Sequence, residues 1–206
     1  MRRLSWRKWL LALGGSAIVA CAVPVATASA TATSSTSSKP TKVVLTKYGF
    51  SVTLPSGWQR VSLTNAGINK MAKYLDRVDP ALGQQFTNNE STARQLQLYA
   101  IGPPQANFLP NLNVLVQSPQ DLPTGQSFVS QAQPIMKTEL QQEGFKNVTT
   151  SVVHLRLGPA VEGQYSLPIS PAPITQLYIS HRGHLYIVTM SPASVVPQIE
   201  STWHWL

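Results

Sequence analysis

One cysteine, eight acidic residues and no apolar run long enough for a bilayer: what this 206-residue chain has little of already removes several classes of protein. With Cys21 alone, no disulfide can form within the chain, so a small disulfide-stapled scaffold is excluded. The mostly apolar stretch 10–23 is interrupted by Gly14, Gly15 and Ser16. It falls short of the roughly 20 residues that cross a ~30 Å hydrocarbon layer. Few carboxylates, none spaced for a paired acid and base, give no ground for glycosidase chemistry. Asp76 and Asp79 at one predicted helix end read as solvated charge. The Gly-x-Ser-x-Gly elbow and the Gly-rich phosphate loop are both absent, and Ser56 falls in a Pro-Ser-Gly turn.

The first thirty residues carry an address. Arg2, Arg3, Arg7 and Lys8 precede the apolar run, and small residues follow it, which is the pattern of an export signal over residues 1–30. Two processing routes stand side by side. Ile18-Val19-Ala20-Cys21 has the form of a lipobox, making Cys21 the candidate lipid anchor of a membrane lipoprotein. Ala26-Thr27-Ala28 and Ala28-Ser29-Ala30 fit ordinary signal peptidase and free secretion. Both place the protein outside the cytoplasm. Residues 31–41, rich in Ser and Thr with no apolar period, read as a disordered tether.

The formal charge of +8 loses its nucleic-acid meaning once the signal is set aside. From Thr31 onward twelve Lys/Arg stand against eight Asp/Glu, a net of +4, singly placed and without a cluster. Residues 42–206 suit one domain. Strands are expected at 43–45 and 50–54. Ile68, Met71, Ala72 and Leu75 then keep helical spacing from Asn65 to about Asp79, with a weaker helix over 81–86. Strands follow at 96–101 and 112–116. A helix capped by Thr124 or Ser127 runs to a stop at Gly144, with Pro134 predicting a kink or a start nearer Gln133. Strands at 148–157, turned by Gly158-Pro159 into 160–167, and at 174–179 and 185–188 close the chain, with a last helix over 195–203. The hairpin His181-Arg182-Gly183-His184 joins the final two strands. The expected class is α+β, a mainly antiparallel sheet with helices packed on its faces.

The run Tyr48-Gly49-Phe50-Ser51-Val52-Thr53-Leu54-Pro55-Ser56-Gly57-Trp58 resembles the opening of PsbP-like domains and of the LpqN-type lipoproteins of actinobacteria. Phe108-Leu109-Pro110-Asn111-Leu112-Asn113-Val114 and the closing hairpin 181–190 are similar in order and spacing. The resemblance implies a PsbP-like α/β/α sandwich over 42–206, used for binding proteins and, in the LpqN-type branch, envelope lipids. It brings no shared catalytic residues. The stretches 79–94 and 167–173 fit no part of that pattern.

Function is then expected to be non-enzymatic: an exported, envelope-associated binding protein for a protein or lipid, needing no cofactor, with Phe108, Asn111, Asn113 and Tyr165 as candidate ligand contacts. The proline-bearing loops 102–111 and 167–173 are the expected working surface. Tyr165, Tyr178, Tyr186, Trp203 and Trp205 could line a pocket, but strand and helix spacing favours the core for them. A secreted hydrolase using His154, or His181 and His184, as base is the alternative; a surface antigen without a ligand is another. His181 and His184 lack a third donor nearby in sequence, which argues against zinc.

Overall fold

The computed structural model describes residues 39–78, 86–87, 90–105, 109–167 and 170–206. The export signal, Cys21, most of the tether, Phe108 and the greater part of the weak helix expected at 81–86 lie outside the described residues.

Strands β1 (Thr41–Leu45) and β2 (Phe50–Leu54) open the domain, followed by the short β3 (Gln59–Arg60) and helix α1 (Asn65–Val78). A single turn, α2 (Glu90–Ala93), leads into β4 (Leu98–Ile101) and β5 (Asn111–Gln117). Helix α3 (Gly125–Gln142) precedes four long strands: β6 (Lys146–Leu155), β7 (Gly158–Leu167), β8 (Ser170–His181) and β9 (His184–Ser191). Helix α4 (Val196–Thr202) and β10 (His204–Trp205) end the chain. The larger sheet has seven strands in the order β3-β4-β5-β9-β8-β7-β6, every neighbour antiparallel, and the smaller has three, β1-β2-β10. The α+β class follows from this order.

The period-two pattern of the strands sorts their side chains between two cores. On one face Tyr99, Ile101, Leu115, Val161, Tyr178 and Ile187 meet Ile68, Met71 and Leu75 of α1 and Phe128, Ala132, Met136 and Leu140 of α3. On the other, Leu112, Val114, Leu177, Tyr186 and Val188 meet Phe50, Val52 and Leu54 of the small sheet and Ile199 and Trp203 at the chain's end. Helices thus lie on both faces, α4 sharing its face with the small sheet.

Three local expectations are corrected. Pro134 neither starts nor ends α3. It sits on the exposed side of the helix, as does Ser130, whose carbonyl the proline leaves free for water. The turn between β6 and β7 is Arg156-Leu157, not Gly158-Pro159, because Leu155 already pairs with Gly158 and His154 with Pro159. The stretch 167–173 is not a long loop: Leu167 pairs with Ser170, so β8 begins almost at once and takes Pro171 and Pro173 into a strand. The predicted hairpin 181–184 is present. Arg182 and Gly183 have φ of 48° and 77°, the pair of left-handed residues that a two-residue turn needs to match strand twist.

Candidate functional site

The helix face of the large sheet is the more polar of the two. Asn111 and Asn113 alternate with Leu112 and Val114, which face the small sheet, so both asparagines point toward the helices. Across the ladder Asn113 stands between Tyr99 and Thr189, Asn111 between Ile101 and Ser191, and Gln176 opposite Thr189. Asn111, Asn113, Gln176, Thr189 and Ser191 therefore form one buried polar seam, none of them more than 3 % exposed. Gln176 Nε2 donates to Thr189 Oγ1 at 3.2 Å, and Asn111 Nδ2 to the Leu109 carbonyl at 3.3 Å. Asn111 Oδ1, Asn113 Nδ2, Gln176 Oε1 and Ser191 Oγ have no partner among the described residues. Buried polar atoms in folded proteins are rarely left so, and each unmet group destabilises by about 1–3 kcal/mol.

At the β3 edge of this face the layers part into an open cleft of about 390 Å³. Val61 of the segment after β3, Met71 of α1 and Ile101 of β4 form its apolar floor, and all three belong to the helix-side core. Arg60 on one wall and Lys70 on the other are exposed, and neither side chain makes a hydrogen bond or ion pair with any described residue. Tyr74, 38 % exposed, adds an aromatic ring on the α1 side. Ile101 is also the cross-strand neighbour of Asn111, so the polar seam begins one strand inward from the cleft floor. The Gly102–Pro104 turn forms the remaining wall. Gly102 is needed there because an added Cβ would lie 2.8 Å from Trp58 Cε2, while its N–H donates to the Pro110 carbonyl at 2.8 Å. Behind this wall a second hollow of about 440 Å³ is lined by Pro55, Trp58, Pro110 and Gln198.

No family model matches the chain, and no curated protein matches it. Among solved structures it is similar to cyanobacterial PsbP (CyanoP) from Synechocystis sp. PCC 6803, with a TM-score of 0.48 and 15% identity over 82% of this chain and 94% of that one. At that score the likeness is one of outline only; the fold class rests on strand order.

The candidate contacts separate on this geometry. Asn111 and Asn113 come together on the seam, but closed off from solvent. Tyr165, 2 % exposed, lies three strands away, stacked on Phe145 at 4.6 Å, and burial pushes its hydroxyl pKa up. It is a core residue in this conformation. The expected surface at 102–111 does border two clefts, whereas 167–173 supplies none. Arg60, Lys70, Gln176, Thr189 and Ser191 were missed. A signal existed for the last two: Thr189 and Ser191 interrupt a strand otherwise apolar, at the same period of two as Asn111 and Asn113.

The histidines fall elsewhere. His181 stacks on Trp205 at 4.1 Å with ring planes 5° apart; burial, then Arg182 and His184, hold its pKa below the ordinary value. His184 Nδ1 shares a hydrogen bond with Ser118 Oγ at 2.7 Å. His154 is exposed on β6. Among the described residues no group of three or more His, Cys, Asp or Glu is placed to hold a metal ion.

Proposed function

We propose that the chain is an exported, non-enzymatic binding domain of the cell envelope whose working surface is the cleft between β3, α1 and the Gly102–Pro104 turn. The observation that carries this reading is a pair of exposed cations, Arg60 and Lys70, with no ion pair among the described residues, above an apolar floor of Val61, Met71 and Ile101. Such a surface suits an envelope protein segment or a lipid that presents an anionic group beside apolar surface, since the charge orients the ligand and the floor holds it. The lipobox-like 18–21 segment and the resemblance to LpqN-type lipoproteins support tethering at the membrane through Cys21. Intact mass of the protein from its native host, split between detergent and aqueous phases, tests the tether. A diacylated Cys21 supports it, and an unmodified start near Thr31 indicates free secretion.

Binding is tested by capture from envelope extracts with the native protein and an Arg60→Ala/Lys70→Ala variant, followed by protein and lipid mass spectrometry. Enrichment of one species by the native protein alone supports the proposal. Capture of neither protein nor lipid above background, or equal capture by both, counts against it. The Ser118–His184 hydrogen bond favours one second reading, a hydrolase in which His184 activates Ser118. Turnover on an ester, peptide and glycoside panel that disappears in both Ser118→Ala and His184→Ala would replace the binding proposal.

A further inference from the structure

The two sheets have four edges, and three are blunted. Strands β3 and β10 have two residues each, and β1 has five with Lys42 among them. Short strands and edge lysines are the ordinary defences against strand-to-strand association. The fourth edge, β6, is ten residues long. Its first part is protected: the register shifts between Lys146 and Thr149, and Asn147 has φ of 55°. Beyond the bulge the defences stop. From Asn147 to Leu155 there is no Lys, Arg, Asp, Glu or Pro, and five of those nine residues are β-branched.

The register shows which backbone groups face outward. His154 stands opposite Pro159, which has no N–H, so this is a non-hydrogen-bonded pair of the β6–β7 ladder. The N–H and C=O groups of His154, and by alternation of Val152 and Thr150, therefore point away from β7. One of them is already satisfied as a neighbouring strand would satisfy it: Gln133 Nε2 of α3 donates to the Thr150 carbonyl at 3.1 Å. Val152 and His154 have no such substitute among the described residues.

The geometry points to this edge as a self-association surface, pairing β6 antiparallel with β6 of a second copy of the chain about a two-fold axis at Val152. A second copy suits it because residues 147–155 carry no Lys, Arg, Asp or Glu and so meet no charge of their own sign, whereas a charged peptide would find nothing there to answer it. In that register Val152 meets its own symmetry mate, and Thr150 meets His154 of the partner subunit. About six inter-strand hydrogen bonds form, the Thr150 carbonyl using its second lone pair. Two seven-stranded sheets then become one continuous sheet.

Sedimentation equilibrium over a wide concentration range, with amide hydrogen exchange at the low and high ends, tests this on the full chain. Expected are a concentration-dependent doubling of mass and new protection at the amides of Thr150, Val152 and His154 only in the dimer. His154→Pro removes an outward N–H from each copy without touching the β7 ladder. It should weaken the dimer about thirtyfold, two hydrogen bonds being lost. Ser151→Lys, which places a charge on an exposed position of the edge, is the second variant should proline disturb the fold, and should also weaken it. A monomer at every concentration, a dimer in which those three amides exchange freely, or a dimer indifferent to both variants would overturn the inference.

Discussion

The two faces of the seven-stranded sheet differ in how much polar chemistry they bury. The face toward the small sheet is closed by aromatic contacts: Phe50 stacks on Trp203 at 4.3 Å with planes 7° apart, and Tyr186 meets Phe50 edge-on at 5.9 Å. Two of its polar tips are answered, Tyr186 donating to the Tyr48 carbonyl at 2.8 Å and Thr202 bridging to the backbone of Thr53, while Trp203 Nε1 and Thr175 Oγ1 have no partner among the described residues. Arg156 ties the β6–β7 turn to the carbonyls of Glu200, Ser201 and Trp203. The helix face instead carries the polar seam, an open cleft and a buried carboxyl, Glu139, 4 % exposed. Burial and the neighbouring Glu143 raise that carboxyl's pKa from 4.5 to about 7, against the opposing pull of the Tyr178 hydroxyl. Both faces bury an apolar core, but the helix face adds a row of polar groups to its own, a departure from pure packing that the proposed binding role would account for.

The sharpest way to break that contrast is Trp203→Ala. Removing a side chain 1 % exposed and stacked on Phe50 should cost about 3–5 kcal/mol in urea denaturation, more than any single change on the helix face. A loss below 1 kcal/mol would mean the small sheet is not the structural half.

Glu139→Gln comes next, and its effect depends on pH. The folded protein holds this proton to a higher pH than the unfolded chain, so its contribution is fully present below about 4.5 and is lost as pH rises through about 7. The neutral glutamine escapes that loss. The variant should match the native protein near pH 4.5 and exceed it by roughly 2 kcal/mol above pH 8, as read from urea midpoints. A difference independent of pH would show that the charge is not responsible.

Smaller still is Gly163→Ala. A Cβ there would lie 2.6 Å from Met136 Cε and 3.0 Å from Leu140 Cδ1, so α3 must yield. Because the nearest atom ends a flexible methionine, the expected loss is only about 1 kcal/mol. A loss above 3 kcal/mol would show the helix face to be as tightly fitted as the aromatic one.

What could be read from the sequence follows the same division. Elements set by local chemistry were legible: the period of α1, the Arg182-Gly183 turn, the apolar alternation that buries Tyr178 and Tyr186, and the last helix that lays Trp203 on the core. Pro134, Pro171 and Pro173 misled because proline's effect depends on what the forfeited bond would have served. At Pro134 that is whether the Ser130 carbonyl reaches water, in β8 it is where the N–H would have pointed, and both are decided by neighbours far along the chain. The candidate site was half legible. Asn111 and Asn113 were reached through the run 108–114, with Asn111 placed in the loop before the strand, but their companions Gln176 and Thr189 arrive from strands more than sixty residues later. Arg60 and Lys70, ten residues apart, look like any scattered surface charge until β3 and α1 are set side by side.

Those two cations give the smallest expected effect on stability and the most direct statement about what the helix face is for. Both are exposed and their side chains make no hydrogen bond or ion pair with described residues, so Arg60→Ala with Lys70→Ala should leave the urea midpoint within about 0.5 kcal/mol of the native protein. Like charges across a cleft repel slightly, so a small gain is as consistent as no change. A residue kept for stability should show itself in stability; one kept for a ligand should not. If the variant instead unfolds by more than 2 kcal/mol, Arg60 and Lys70 belong to the structural half of the comparison and the cleft loses its claim.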